Sequence, residues 1–177
     1  MSDTSTTTPQ AEDTAATAED IRRLVGRLGS EDVVERQQAR QSLARIGKVA
    51  VPHLLPLLQS DDSRERWEAA KTLVPIGDPA ATDALIETFE SDDENLRWVA
   101  GEALVAIGQP AVDACLNSII KRISTGFMRQ GMHHVMHEFV GTTWGQFLQP
   151  VWEALDSAAW SMAGPLAAER ALCERGA

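Results

Sequence analysis

Three stretches of this chain can be laid over one another without a gap: SEDVVERQQARQSLARIG at 30–47, SDDSRERWEAAKTLVPIG at 60–77 and SDDENLRWVAGEALVAIG at 91–108. The leading Ser, an acidic residue, Arg36/Arg66/Arg97, Ala39/Ala69/Ala100, Leu43/Leu73/Leu104, Ile46/Ile76/Ile107 and Gly47/Gly77/Gly108 recur at steps of 30 and 31 residues. A fixed period of that size marks an array of small units. No such unit buries its own apolar face, so the units must stack, and most single-core folds are excluded.

Each copy reads as a helical hairpin. Ala, Leu and Ile at i, i+4 and i+7 form one stripe of a 3.6-period helix, here called the A helix. Asp32-x-x-Glu35 and Asp62-x-x-Glu65 predict capping boxes at its start. Ile-Gly predicts a C-terminal glycine with positive φ, and Pro79 and Pro110 follow where a helix cannot continue. AVPHLLPLLQ, ATDALIETFE and AVDACLNSII then give a second, B helix. Their buried stripes are Val51, Leu54, Leu55 and Leu58; Ala81, Leu85 and Phe89; and Val112, Cys115, Leu116 and Ile119.

The same registers continue past both ends. EDIRRLVGRLGS sets Ile21, Leu24, Val25 and Leu28 at B-helix spacing, a capping helix over 19–29. FMRQGMHHVMHEFVG places Arg129, Met132, Met136 and Phe139 in the Arg, Ala, Leu and Ile columns, and Leu148, Val151, Trp152 and Leu155 supply the matching B stripe. The expected organisation is a disordered acidic tail at 1–18, repeats at 30–59, 60–90 and 91–122, a divergent repeat at 124–156, and a closing hairpin at 157–177 broken at Gly164-Pro165. The tail is Thr, Ala and acid without Lys, Arg or aromatics, too polar to offset its ordering entropy.

The run Arg-Trp-x-Ala-Ala-x-x-Leu-x-x-Ile-Gly-Asp-Pro-Ala at Arg66–Ala80, with a close copy at Arg97–Ala111, resembles the short HEAT-like repeats first associated with phycobilisome lyases. The resemblance covers about residues 20 to 156. It implies an all-α, right-handed α-solenoid that serves as a scaffold for protein partners. It implies no bilin-lyase activity, since no active residue of those lyases matches here. TPR and ankyrin arrays have periods of about 33–34 residues and other signatures.

Three of the four histidines, His133, His134 and His137, fall within five residues of the fourth A helix. By register His133 and His137 lie on the flank that meets a neighbouring repeat, whereas His134 and Glu138 point outward, so the group does not converge. The alternative to a scaffold is a metal-binding or small-molecule site, of an enzyme or a sensor, around His133 and His137 at i, i+4, with Cys115, Cys173 or an acidic loop as the source of a third metal ligand, since zinc takes three or four. His-x-x-His-Glu matches neither H-E-x-x-H nor H-x-x-E-H. The His-Glu iron ligands of deoxyhypusine hydroxylase, another HEAT-repeat family, are replaced here by Trp67-Glu68 and Trp98-Val99. Asp61-Asp62 and Asp92-Asp93 recur at helix starts, where capping accounts for them better than calcium. Cys115 stands at an apolar column. No cofactor is called for and no catalytic residue stands out.

The net charge of −10 argues against a nucleic-acid or anionic-membrane surface. Two cysteines without C-x-x-C spacing make no disulfide framework, and nothing reads as an export signal or an apolar span; a cytoplasmic chain, monomeric or weakly associating, is expected. Its expected work is non-catalytic: binding a basic or mixed-charge protein segment on the concave face lined by B helices. The outward positions there are His53 and Leu57, Asp83 and Glu87, Asp113 and Asn117, with Gln149 and Glu153 continuing the row. The repeated Arg36, Arg66, Arg97 and Arg129 read as a structural ladder pairing with acids of the inter-helix turns. Trp67 and Trp98 stand on a packing flank, open to a core or a binding role.

Overall fold

The computed structural model describes residues 16–122 and 125–176, and among these every regular element is helical. The acidic tail expected at 1–18 lies, up to residue 15, outside the described residues, as does residue 124, where the fourth repeat was expected to begin. Helix α1 (Ala18–Arg27) starts on a full capping box that sequence reading did not single out: Thr17 accepts from the Asp20 amide, and Asp20 reaches back to the Thr17 amide.

Four A helices follow: α2 (Val33–Ile46), α4 (Ser63–Ile76), α6 (Glu94–Ile107) and α8 (Gly126–Val140). Asp32, Asp62 and Asp93 cap the first three through the amides of Val34, Arg64 and Asn95 at 2.8, 2.8 and 2.9 Å. The expected boxes do not close. Glu35 and Glu65 accept instead from the Ser30 and Ser60 hydroxyls, at 2.5 and 2.6 Å, because those serines bend the chain back toward the helix. Gly47, Gly77 and Gly108 have φ of 73°, 57° and 76°, the conformation that favours glycine where each A helix stops.

The B helices are shorter and tighter. α3 (Val51–Leu54) passes into a 3-10 turn over Leu55–Gln59, where Pro56 lacks the amide that would continue the α ladder. α5 (Thr82–Glu87) likewise tightens over Thr88–Glu90, while α7 (Gln109–Arg122) runs uninterrupted. Each A helix packs on the next, α2 on α4, α4 on α6 and α6 on α8, and α1, α3, α5 and α7 form the second layer, giving an all-α solenoid with one continuous core. Burial widens along it. Ala39 and Leu43 are the buried residues of α2, whereas α6, flanked on both sides, buries Leu96, Arg97, Val99, Ala100, Gly101, Ala103, Leu104 and Ile107.

The repeated arginines clamp their own turns. Arg36, Arg66 and Arg97 each donate through Nη1 to the carbonyl of Ser30, Ser60 and Ser91, at 2.7, 2.7 and 2.8 Å. The ladder therefore runs to backbone carbonyls more than to the acids expected. Among the described residues only Arg36 adds a carboxylate, Glu68 of the next repeat at 2.8 Å, and the fourth member, Arg129, bonds the Leu155 carbonyl.

The C-terminal end departs from the repeat. α9 (Gly145–Asp156) pairs with α8 as a B helix should, burying Leu148, Val151 and Leu155. In place of the expected hairpin with a break, Trp160–Gly176 is a single helix, α10. Pro165 sits near its start, where the lost hydrogen bond reaches only to the first turn. Gly164 is a contact residue: a Cβ there would stand 3.2 Å from Leu155 and 3.7 Å from Ile119. With Ala168 and Ala171 also buried, α10 lies between α7 and α9. Its far end carries Arg175 to Asp113 at the start of α7 and over the Trp144 ring before α9, so α10 runs antiparallel to both. Among the described residues no helix is long and apolar enough to cross a membrane.

Candidate functional sites on two faces

On the B-layer face the structure places Asp83, Glu87, Asp113 and Asn117 exposed on α5 and α7, with His53 and Leu57 half-buried one repeat earlier. A groove of about 160 Å³ runs between α5 and α7, lined by Asp83, Ile86, Ala114, Asn117, Ser118 and Lys121. The Ser118 hydroxyl lies buried on its floor without a hydrogen-bond partner, and Asp83 has no ion-pair partner among the described residues. Asp113 is committed to Arg175, and the Asn117 amide to the Asp113 carbonyl at 2.8 Å. The row does not run on unbroken to Gln149 and Glu153. These bond each other at 2.8 Å on α9, beyond the interposed α10.

The three histidines separate as their spacing requires. His133 and His137 turn toward α9, each with its ring centroid 5.5 Å from that of Trp152, and His133 Nε2 is 3.9 Å from Asp156. His134 turns the other way, onto α6, so the position expected to point outward makes the inter-repeat contact. Burial holds His133 and His134 below the ordinary histidine range, against the opposing pull of Asp156 on the first and Glu138 on the second. Among the described residues no three His, Cys, Asp or Glu side chains are gathered to hold a metal ion. Cys115 is enclosed in the core of α7, where desolvation pushes its thiol up to about 12, and Cys173 is exposed on α10; neither joins the His133 and His137 pair.

On the opposite layer, Trp98 of α6 stacks on His134 of α8 at 4.1 Å between centroids, with 25° between planes. Gly101 leaves the space, since a Cβ there would come within 2.8 Å of His134 Cδ2. The stack stands as a ridge between two grooves. One, of about 320 Å³, is lined by Glu94, Arg97, Gln130, Gly131, His133 and His137; the other, of about 490 Å³, by Lys71, Val74, Glu102, Val105, Ala106 and Glu138.

Comparison with known proteins bears on the family. The family profile of HEAT repeats matches residues 21–105 and, overlapping it, 51–130. The chain belongs to the HEAT-repeat family. HEAT repeats generally mediate protein–protein interaction and are typically non-catalytic. Among solved structures the chain is similar to an engineered protein crystallised by the Northeast Structural Genomics Consortium, with 21% identity over 86% of this chain and 79% of that one and a TM-score of 0.41. No curated protein matches it.

Within this HEAT array, sequence register did not single out the Trp98 and His134 ridge. The available signal was Gly101, a glycine in a column that otherwise holds Arg40, Ala70 and His133. Trp67, the register mate of Trp98, is half-buried beneath Arg40, whose guanidinium carbon is 5.5 Å from the ring centre.

Proposed function

We propose that this HEAT-repeat chain is a non-catalytic adaptor that holds a basic or mixed-charge protein segment against its B-layer face. The observation that supports this reading is the α5–α7 groove. It has the volume of a side chain, apolar walls from Ile86 and Ala114, and two polar groups, Asp83 and Ser118, that make no ion pair or hydrogen bond among the described residues. A carboxylate at a groove mouth steers a cationic partner and fixes its register, and a buried hydroxyl left unpaired gains from a donor or acceptor brought to it. His53 and Leu57 extend the surface toward the first repeat. Gln149 and Glu153 serve a separate surface beyond α10. Among the described residues no third His, Cys, Asp or Glu gathers with His133 and His137 to hold a metal ion.

The test is co-purification of the wild-type chain and its Asp83→Lys variant, with mass spectrometry of what each retains. A basic protein held by wild type and lost from Asp83→Lys, with the melting temperature unchanged, supports the reading. Equal retention by both chains overturns it. Asp83 is the informative position because reversing Asp113 would also release Arg175 and disturb α10.

A further inference from the structure

We propose that the α6–α8 face carries a second docking site, which takes arginine side chains of a protein partner across the Trp98 and His134 ridge. Trp98 is 55% exposed and Phe127 44%, unusual for side chains of that size, and the Arg97 guanidinium joins them, 4.6 Å above the Phe127 ring on the wall of the first groove. Exposed tryptophan between grooves is the anatomy of an interaction hot spot, where a rigid aromatic anchor is already positioned.

Charge decides the kind of partner. Two cations line the grooves against three carboxylates, Glu94, Glu102 and Glu138: Arg97 is buried and keeps its charge, bonding the neutral Ser91 carbonyl and Gln130 Oε1 at 2.8 and 3.0 Å, and Lys71 pairs with Glu102 at 3.0 Å. Burial favours the neutral form of His133 and His134. The carboxylates are less engaged. Glu94, one helical turn before Trp98 in the first groove, has no ion-pair partner among the described residues, and Glu138, in the second, reaches only His137 Nδ1 at 3.3 Å. An aromatic face with a carboxylate on each side is complementary to a guanidinium, which stacks on the ring through its plane and forks toward a carboxylate at its edge. An acidic segment would meet two like charges there. This face lies on the layer opposite the B-layer groove, so the two sites are independent.

The test is titration of the full-length chain with acetyl-tetraarginine amide at physiological salt, followed by the Trp98 indole N–H resonance, assigned through its loss in Trp98→Phe. Saturable movement of that resonance is expected. Affinity read by isothermal titration calorimetry should weaken by about tenfold in Trp98→Ala and by a smaller factor in Glu94→Gln, and stay unchanged in Glu169→Gln, an exposed carboxylate of α10 in neither groove. An unmoved Trp98 resonance, equal affinity in Trp98→Ala and Glu94→Gln, or the same shift with acetyl-tetraglutamate amide would overturn the proposal. Loss of binding in Asp83→Asn alone would assign the peptide to the B-layer groove and overturn it as well.

Discussion

The Trp98 ring of α6 lies over the His134 ring of α8, centroids 4.1 Å apart, so two adjacent A helices meet through a stacked pair at the place where Gly101 provides room. A neutral imidazole suits this position, because charging it places an imidazolium in a partly desolvated site.

The pH dependence of stability follows from that contact and from its neighbour on α9. Burial depresses both His133 and His134 below the ordinary value of 6.5 in the folded chain, so between 6.5 and the folded values the unfolded chain binds more protons. The contribution is complete above pH 6.5 and is lost as pH falls through the two folded values. Glu102, Glu138, Asp156, Arg129 and His137 surround the pair and set its limits. Thermal melts at pH 7.5, 6.5 and 5.5 should show a decline below 6.5 that flattens in a His133→Gln, His134→Gln double variant. Parallel curves for the two proteins would refute the assignment.

Close helix approach predicts opposite signs at two glycines. A Cβ at Gly131 would stand 2.6 Å from the fully buried Phe89 ring, whereas at Gly26 in α1 nothing lies within 4 Å. Gly131→Ala should destabilise by about 1–3 kcal/mol through overpacking, and Gly26→Ala should stabilise by about 0.5–1 kcal/mol through helix propensity. Urea denaturation midpoints of the two variants check both signs.

The first repeat interface turns on one carboxylate. Glu68, 3% exposed, accepts from Arg36 at 2.8 Å and from Arg40 at 2.6 Å. Glu68→Ala leaves two partly buried guanidinium groups facing each other and should cost about 3 kcal/mol. Arg64→Ala, which breaks an exposed pair to Glu31 across the same two helices, should leave the midpoint unchanged. Chemical denaturation distinguishes them, and equal effects would contradict the role given to burial.

Anchoring of α10 depends on its last turn. Arg175, 9% exposed, pairs with Asp113 and lies 4.6 Å over the Trp144 ring. Asp113→Ala strands that guanidinium and should lower amide-exchange protection along α10 while leaving α6 as in wild type. Loss of protection spread evenly over both helices would show that the end of the array does not open separately.

The repeat, its aspartate N-caps, its terminal glycines and its core stripes were legible in sequence because they arise from contacts within one hairpin or between identical columns. Periodicity alone placed Met132, Met136 and Phe139 inside α8, and all three are buried. Belonging to the HEAT family was readable for the same reason, since the family is defined by those columns. What the tertiary structure decided lies where unlike elements meet. Register assigned His134 to the outside, yet the space above Gly101 draws its ring onto Trp98. It continued the B-layer row to Gln149 and Glu153, yet the small face of Gly164, Ala168 and Ala171 lets α10 enter between α7 and α9. Local spacing determines which face of a helix is apolar; which partner fills the space against that face depends on the volumes of side chains brought together from distant parts of the chain.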